Sequence, residues 1–236
     1  PMASGAELAL KEASDSGAFL GGTTITAVRA DSTCIDAAAA TAAAERLVSS
    51  EGVKAIIGGL CSGATTAMLQ NVAMPKGVLQ FSPSATSPAL TTIPDNGLFF
   101  RASPSDARQG AIIAQMLKEK GIKSAALTYT NNDYGKGLAD SIKTNVEAMG
   151  GKITIYASHE DGKGDYTAEV GALASAGGES LIVAGYLDQG GRGIIRSALA
   201  TGAFERFFLP DALFGGRLTE ALGRGVNGAE REGRER

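Results

Sequence analysis

"SAALTYTNNDYGKGLADSIKTNVEAMG", residues 124–150, is the stretch on which the fold turns. Ser124–Thr130 is a short run of small, apolar, aromatic and β-branched residues, which reads as a strand. Asn131–Gly135 is a turn cluster, and Gly135–Met149 then takes up a helical spacing. The same strand–corner–helix unit recurs along the chain. Further strand candidates are Thr23–Arg29, Val53–Gly58, Val78–Phe81, Leu98–Arg101, Lys152–Ala157, Leu181–Ala184 and Phe207–Leu209. Helical patterns occupy Asp36–Ser50, Ala64–Ala73, Ser105–Lys120, Tyr166–Ala176 and Gly190–Ala200. This alternation is the signature of α/β layers around a mostly parallel sheet, with every strand's C-terminal end on one edge. Ligands of such sheets bind at that edge, near the point where the strand order reverses.

Composition bounds the function. A chain of 236 residues, 44% apolar, can bury a sizeable core in one large domain or two small ones. Its 32 glycines suit an architecture with many tight corners. A formal net charge of −3, with no basic block, argues against nucleic acid as a partner. No stretch approaches the roughly 20 uninterrupted apolar residues of a membrane span. The opening "PMASGAELALKEASDSG" lacks a basic segment followed by an apolar one, so no signal peptide is read there. It reads instead as a helix, with Ala6, Leu8, Ala9, Leu10 and Ala13 on its apolar face.

A seam falls in "FFRASPSD", residues 99–106, where Ser103 is placed to cap the next helix and Pro104 to start it. The tail "AEREGRER", residues 229–236, reads as a solvated or frayed end.

Three corners are placed to carry chemistry. In "GGLCSGATTAMLQ", residues 58–70, Cys61-Ser62-Gly63 leads into a helix whose free N–H groups make a natural anion site. On the local sequence alone a plain N-cap explains Ser62 better. In "FSPSATSPALT", residues 81–91, two prolines stiffen a loop bearing Ser84 and Thr86, and an ordinary turn reads equally well. In "TYTNNDYGKGLA", residues 128–139, Tyr134 projects from a turn, as Tyr186 does in "VAGYLDQGG". Both suit the walls of a small-molecule site or simple packing.

Sharper motifs fail. With two cysteines and one histidine, a zinc site of Cys and His alone is excluded. His159, in "SHEDGKGD", reads as a solvent-exposed loop residue, which leaves a Ser-His-Asp triad without its base. There is no phosphate-binding loop of the GxxxxGK[ST] type and no GxSxG elbow. "GRGVNG", residues 223–228, matches GxGxxG but follows a helical run, so the match is chance. The chain does not read as an enzyme.

Taken together, "GGLCSGATT", "FSPSATSPALT", "RASPSDARQG", "NNDYGKGLA" and "AGYLDQGG" resemble the type I periplasmic solute-binding proteins. The nearest group is the leucine/isoleucine/valine-binding proteins of bacterial ABC importers, and the likeness runs from about Ala3 to Glu230. It implies two Rossmann-like α/β lobes, residues 1–104 and 105–236, closing on a ligand in the cleft between them. It implies a periplasmic monomer that binds an amino acid, branched-chain or similar, without cofactor, and delivers it to an ABC permease. Ser62 would take the ligand carboxylate, with Ser84 supplying a backbone group and Thr86 a hydroxyl. Tyr134 and Tyr186 would flank the ligand, and Asp211, in "FFLPDALF", would take the ammonium. The family usually has Glu there, one methylene longer. The resemblance also implies a disulfide between Cys34 and Cys61, in the loops after the second and third strands of the family fold. A bridge of this kind argues for an oxidising compartment.

The family fold begins with a strand ahead of the helix at Ala3 and continues past residue 236 with returning crossovers. By that measure the sequence reads as truncated at both ends, its first lobe incomplete and its second nearly complete. Other readings are a ligand-sensing regulator or receptor module of the same fold, a binder of an amide or aromatic acid, and an enzyme using Ser62 or Ser82.

Overall fold

The computed structural model describes residues 2–222 and 229–231. Its contacts divide the chain into two compact units, Pro1–Thr86 with Ile93–Pro104, and Ser87–Thr92 with Ser105–Arg236.

The first unit opens with helix α1 (Met2–Asp15), none of whose residues is buried. Thr23–Arg29 is not the strand its composition suggests. A strand exists only where a neighbour completes its ladder, and β propensity cannot substitute for one. The segment is held instead by side chains: Ile25 N–H donates to Ser14 Oγ at 2.9 Å, and Arg29 pairs with Glu7. Helix α2 (Ala37–Glu45) is capped by Asp36, whose carboxylate accepts from the N–H groups of Ala38 and Ala39 at 2.9 Å each. It widens into a turn closed by Glu51 N–H to the Arg46 carbonyl at 3.2 Å. Its buried Ala40 and Ala44 lie on the side that packs on α3 (Ser62–Met68).

Strands β1 (Ala55–Ile57), β2 (Leu79–Ser82) and β3 (Phe99–Arg101) form a parallel sheet in that order. The register sets Ile56, Gln80 and Phe99 on one face and Ile57, Phe81 and Phe100 on the other. The first face is buried. On the second, Ile57 is 46% exposed and Phe100 51%. A parallel sheet normally has both faces covered. Here one is.

The second unit takes in the short helix α4 (Ala89–Thr92) and then runs from α5 (Asp106–Glu119) onward. The cap of α5 is Ser105, which accepts from Ala107 N–H at 3.2 Å, and not Ser103. Ser105 carries both the hydroxyl and the extended backbone a cap needs, while Ser103 donates to the Ala85 carbonyl at 3.2 Å. Strands β4 (Ser124–Thr130), β5 (Lys152–His159), β6 (Ser180–Ala184), β7 (Phe207–Leu209) and β8 (Ala229–Arg231) form a parallel sheet in the order β5-β4-β6-β7-β8. Helices α6 (Asp133–Ala148), α7 (Thr167–Ala176), α8 (Arg192–Thr201) and α9 (Gly216–Leu222) connect them.

Both faces of this sheet are buried, which is why its strands read as continuous apolar runs. Ala125 and Leu127 of β4, with Ile182 and Ala184 of β6, pack with Ile113 of α5 and Leu138 and Ile142 of α6. Ala126, Leu181 and Val183 face Leu173 of α7 and Ile194 and Ile195 of α8. A bulge in the β4–β5 ladder, where Ala125 pairs with Ile153 but Ala126 with Ile155, moves Ile155 to the second face.

The charged tail is a partial correction. Ala229–Arg231 pairs along β7 rather than fraying. Ladder bonds come from the backbone, so a polar tripeptide is able to close an open edge. "GRGVNG" and residues 232–236 lie outside the described residues.

Candidate functional site

In the first unit, the chain leaves β1 through two glycines and enters α3 at Ser62. Cys61 is the N-cap, with extended backbone, so Ser62 is the first helical residue and not the cap. Ser62 is 1% exposed. Thr65 fastens the corner, its hydroxyl 3.0 Å from both the Gly59 and Cys61 carbonyls. The loop after β2 is tied to the same corner: Ser82 donates to the Gly59 carbonyl at 2.7 Å and Ser84 to the Leu60 carbonyl at 2.8 Å. The hydroxyls of Ser82 and Ser84 are therefore structural ties. Thr86 is half-buried, with no hydrogen-bond partner among the described residues. Cys34 and Cys61 form a disulfide with a Cα–Cα distance of 5.3 Å.

In the second unit, the chain runs from β4 to β5 on one side and later to β6 on the other, so the strand order reverses between β4 and β6. Tyr134 and Tyr186 follow the C-terminal ends of those two strands, and Asp211 follows β7. The structure brings all three together. The tyrosine rings stack, centroids 4.5 Å apart at 29°, and the Tyr134 hydroxyl donates to Asp211 Oδ1 at 3.3 Å. Tyr134 is 4% exposed. Burial, and then the charges of Asp211 and Asp106, push its phenol well above the usual range, so it stays protonated and able to donate. Gln109 of α5, which the sequence did not single out, donates from Nε2 to the same Asp211 oxygen at 3.1 Å.

Asn132 caps α6, accepting from Gly135 N–H at 2.8 Å and donating to Gln189 Oε1 at 3.0 Å. Thr130, ending β4, holds both tyrosine corners close. A Cβ on Gly135 would lie 2.2 Å from the Thr130 carbonyl oxygen. On Gly185, whose φ is +156°, it would lie 2.0 Å from Thr130 Oγ1. Both positions require glycine.

His159 is not on a solvent-exposed loop. It ends β5, is 1% exposed, and has Nδ1 2.8 Å from Thr128 Oγ1 and Nε2 3.2 Å from Thr130 Oγ1. The alternation Ile155, Ala157, His159 on one strand face was the signal for it. Burial depresses the imidazole pKa to about 4, against weaker opposing effects of Glu169 and Glu160. An unfolded histidine titrates near 6.5, so between those values the unfolded chain binds more protons. This contribution to stability is present above pH 6.5 and is lost as pH falls towards 4. Relative to a His159→Gln variant, the wild-type chain should lose roughly 2 kcal/mol between pH 7 and pH 5. Urea unfolding of both at the two pH values checks this. An unchanged gap would show that His159 takes up its proton as readily in the folded chain as in the unfolded one.

Residues 1–229 match the family model described as "Periplasmic binding protein". The chain belongs to that family, one of binding proteins. It is 29% identical over 220 residues to the leucine-, isoleucine-, valine-, threonine-, and alanine-binding protein of Pseudomonas aeruginosa, covering 93% of this chain and 57% of that protein. It is 31% identical over 228 residues to Leu/Ile/Val-binding protein homolog 1 of Brucella melitensis, covering 95% of this chain and 59% of that one. Among solved structures it resembles the branched-chain amino acid transporter substrate binding protein LivJ from Streptococcus pneumoniae in complex with isoleucine. There the TM-score is 0.76 at 29% identity, over 93% of this chain and 61% of that one. The chain thus spans about 57–61% of the length of these relatives.

Proposed function

We propose that this chain acts as an extracytoplasmic substrate-binding protein of an ABC importer, taking up a branched-chain or similar amino acid and passing it, as a monomer, to a membrane permease. The observation that carries the reading is Asp211. It is an exposed carboxylate beside the strand-order switch, held by two neutral donors and paired with no cation among the described residues. A carboxylate so placed suits a ligand ammonium, which needs a charged partner once water is expelled. In this reading Ser62, the Ser84 backbone and Thr86 take the α-carboxylate, and Tyr186 lies against the ligand. Tyr134 supports Tyr186 and Asp211 from beneath. The Cys34–Cys61 disulfide supports export to an oxidising compartment.

Calorimetric titration with leucine, with 4-methylpentanoate (no ammonium) and with 3-methylbutylamine (no carboxylate) tests the reading. Leucine should bind, with each truncated analogue weaker by a factor on the order of 100. Analogues binding as tightly as leucine would rule out an amino-acid site.

A further inference from the structure

We propose that Gln109 is a positioning residue: with Tyr134 it clamps Oδ1 of Asp211, fixes the plane of that carboxylate before any ligand arrives, and reserves Oδ2 for a ligand cation. The inference rests on the functional reading above, because it assigns Asp211 its geometry for that role.

Asp211 begins a single 3₁₀ turn, Asp211–Leu213, directly after Pro210 at the end of β7. Left alone, an exposed aspartate at such a point would rotate about both side-chain torsions. Two donors from different elements remove that freedom. Gln109 Nε2 approaches Oδ1 at 3.1 Å from α5, and Tyr134 Oη approaches the same atom at 3.3 Å from the start of α6. Tyr134 is itself buried and stacked on Tyr186. Asp211 Oδ2, by contrast, has no partner among the described residues. One oxygen is saturated and the other left open.

The chemistry of the donors matters as much as their position. An amide and a phenol orient a carboxylate without cancelling its charge. A lysine or arginine at position 109 would orient it too, but would compete with an incoming ammonium for the same charge. Neutral donors therefore leave the carboxylate's charge available to the ligand. They also mean that less side-chain freedom is lost on binding, which favours affinity.

The test uses the full chain and compares leucine with 4-methylpentanoate, which shares the side chain and carboxylate but has no ammonium. Gln109→Leu should weaken leucine binding about tenfold while moving 4-methylpentanoate by less than about twofold. Gln109→Lys should likewise depress leucine binding and leave 4-methylpentanoate equal or tighter, since the new cation neutralises Asp211. Should Gln109→Leu fail to fold, Gln109→Asn, with its amide one methylene short, carries the same comparison. Equal losses for both ligands in the Gln109 variants would mean a merely structural role and would overturn the proposal. Asp211→Asn separates the two layers of argument. If it discriminates against leucine while Gln109→Leu does not, the site stands and the clamp falls. If it affects both ligands equally, or if the wild-type chain binds no leucine, the functional reading fails and takes the clamp with it. Independently of ligand, the side-chain amide resonances of Gln109 should shift in Asp211→Ala. Resonances that stay in place would show that the contact does not exist in solution.

Discussion

Asp211→Asn is expected to weaken leucine binding by about 2–5 kcal/mol, the range for truncating one partner of a buried charge pair, while changing 4-methylpentanoate binding little. The substitution keeps the side chain's shape. The variant's amide still offers an oxygen to Gln109 and Tyr134, the two donors now holding Oδ1. Those contacts orient the amide so that its nitrogen replaces Oδ2. A hydrogen-bond donor then faces the ammonium, which is itself only a donor. The variant thus loses the charge and gains a donor–donor conflict in one step, with no change of volume to complicate the comparison. The plain acid never met Oδ2 and has little to lose. Calorimetry on both ligands at pH 7 decides it, and equal losses would remove Asp211 from the site.

The second large effect is expected from the disulfide. Replacing both Cys34 and Cys61 by serine should destabilise the first unit by about 3–4 kcal/mol, the chain-entropy value for a loop of this size. The sequence separation is 27 residues, enclosing all of α2 and β1. Cys61 also stands at the N-cap of α3, so the bridge pins the start of that helix to the loop ahead of α2. With two compact units, unfolding need not be a single transition, and a global midpoint would blur the effect. Hydrogen exchange at the buried residues Ala40, Ala44 and Met68 reads the first unit directly. Exchange there should accelerate by roughly two orders of magnitude or more, while Leu127 and Ile182 of the second unit keep their protection. Unchanged exchange in α2 would show that the bridge contributes nothing to the native fold.

How far the sequence discloses the structure depends on where each signal comes from. Ser124–Thr130 has the same bounds in the sequence reading and in the structure because it is buried on both faces, so composition alone marks it. Phe207–Leu209 is legible for the same reason. Thr23–Arg29 carries equally good strand residues and forms none, because a ladder partner is a property of the surroundings. Helix α4 is a single turn, too short to leave a period. His159 was misplaced because the glycines and acids that follow it suggest a loop, although its own register belongs to the strand. Tyr134 and Tyr186 were legible as residues at corners of one sheet edge, whereas Asp211 came only from the family resemblance, and the structure sets it against Tyr134. Gln109 did not follow from anything local. Its partner lies 102 positions away, and a half-buried glutamine on an amphipathic helix has no distinguishing pattern.

Thr130 sets the genetics of the site. Gly135 and Gly185 both press against it, but against different parts: a Cβ at 135 strikes its backbone carbonyl, whereas one at 185 strikes its side-chain oxygen. Damage at 185 is therefore partly suppressible by a second change at 130, but only by Thr130→Gly, which removes both Oγ1 at 2.0 Å and Cβ at 2.7 Å and leaves the backbone nitrogen at 3.1 Å and the strain of φ +156°. Damage at 135 has no such suppressor, because every residue at 130 has the same carbonyl. In a selection for altered ligand preference, compensated pairs would arise between 130 and 185 and not between 130 and 135. The Tyr186 corner then has one narrow route of escape, and the Tyr134 corner has none at position 130.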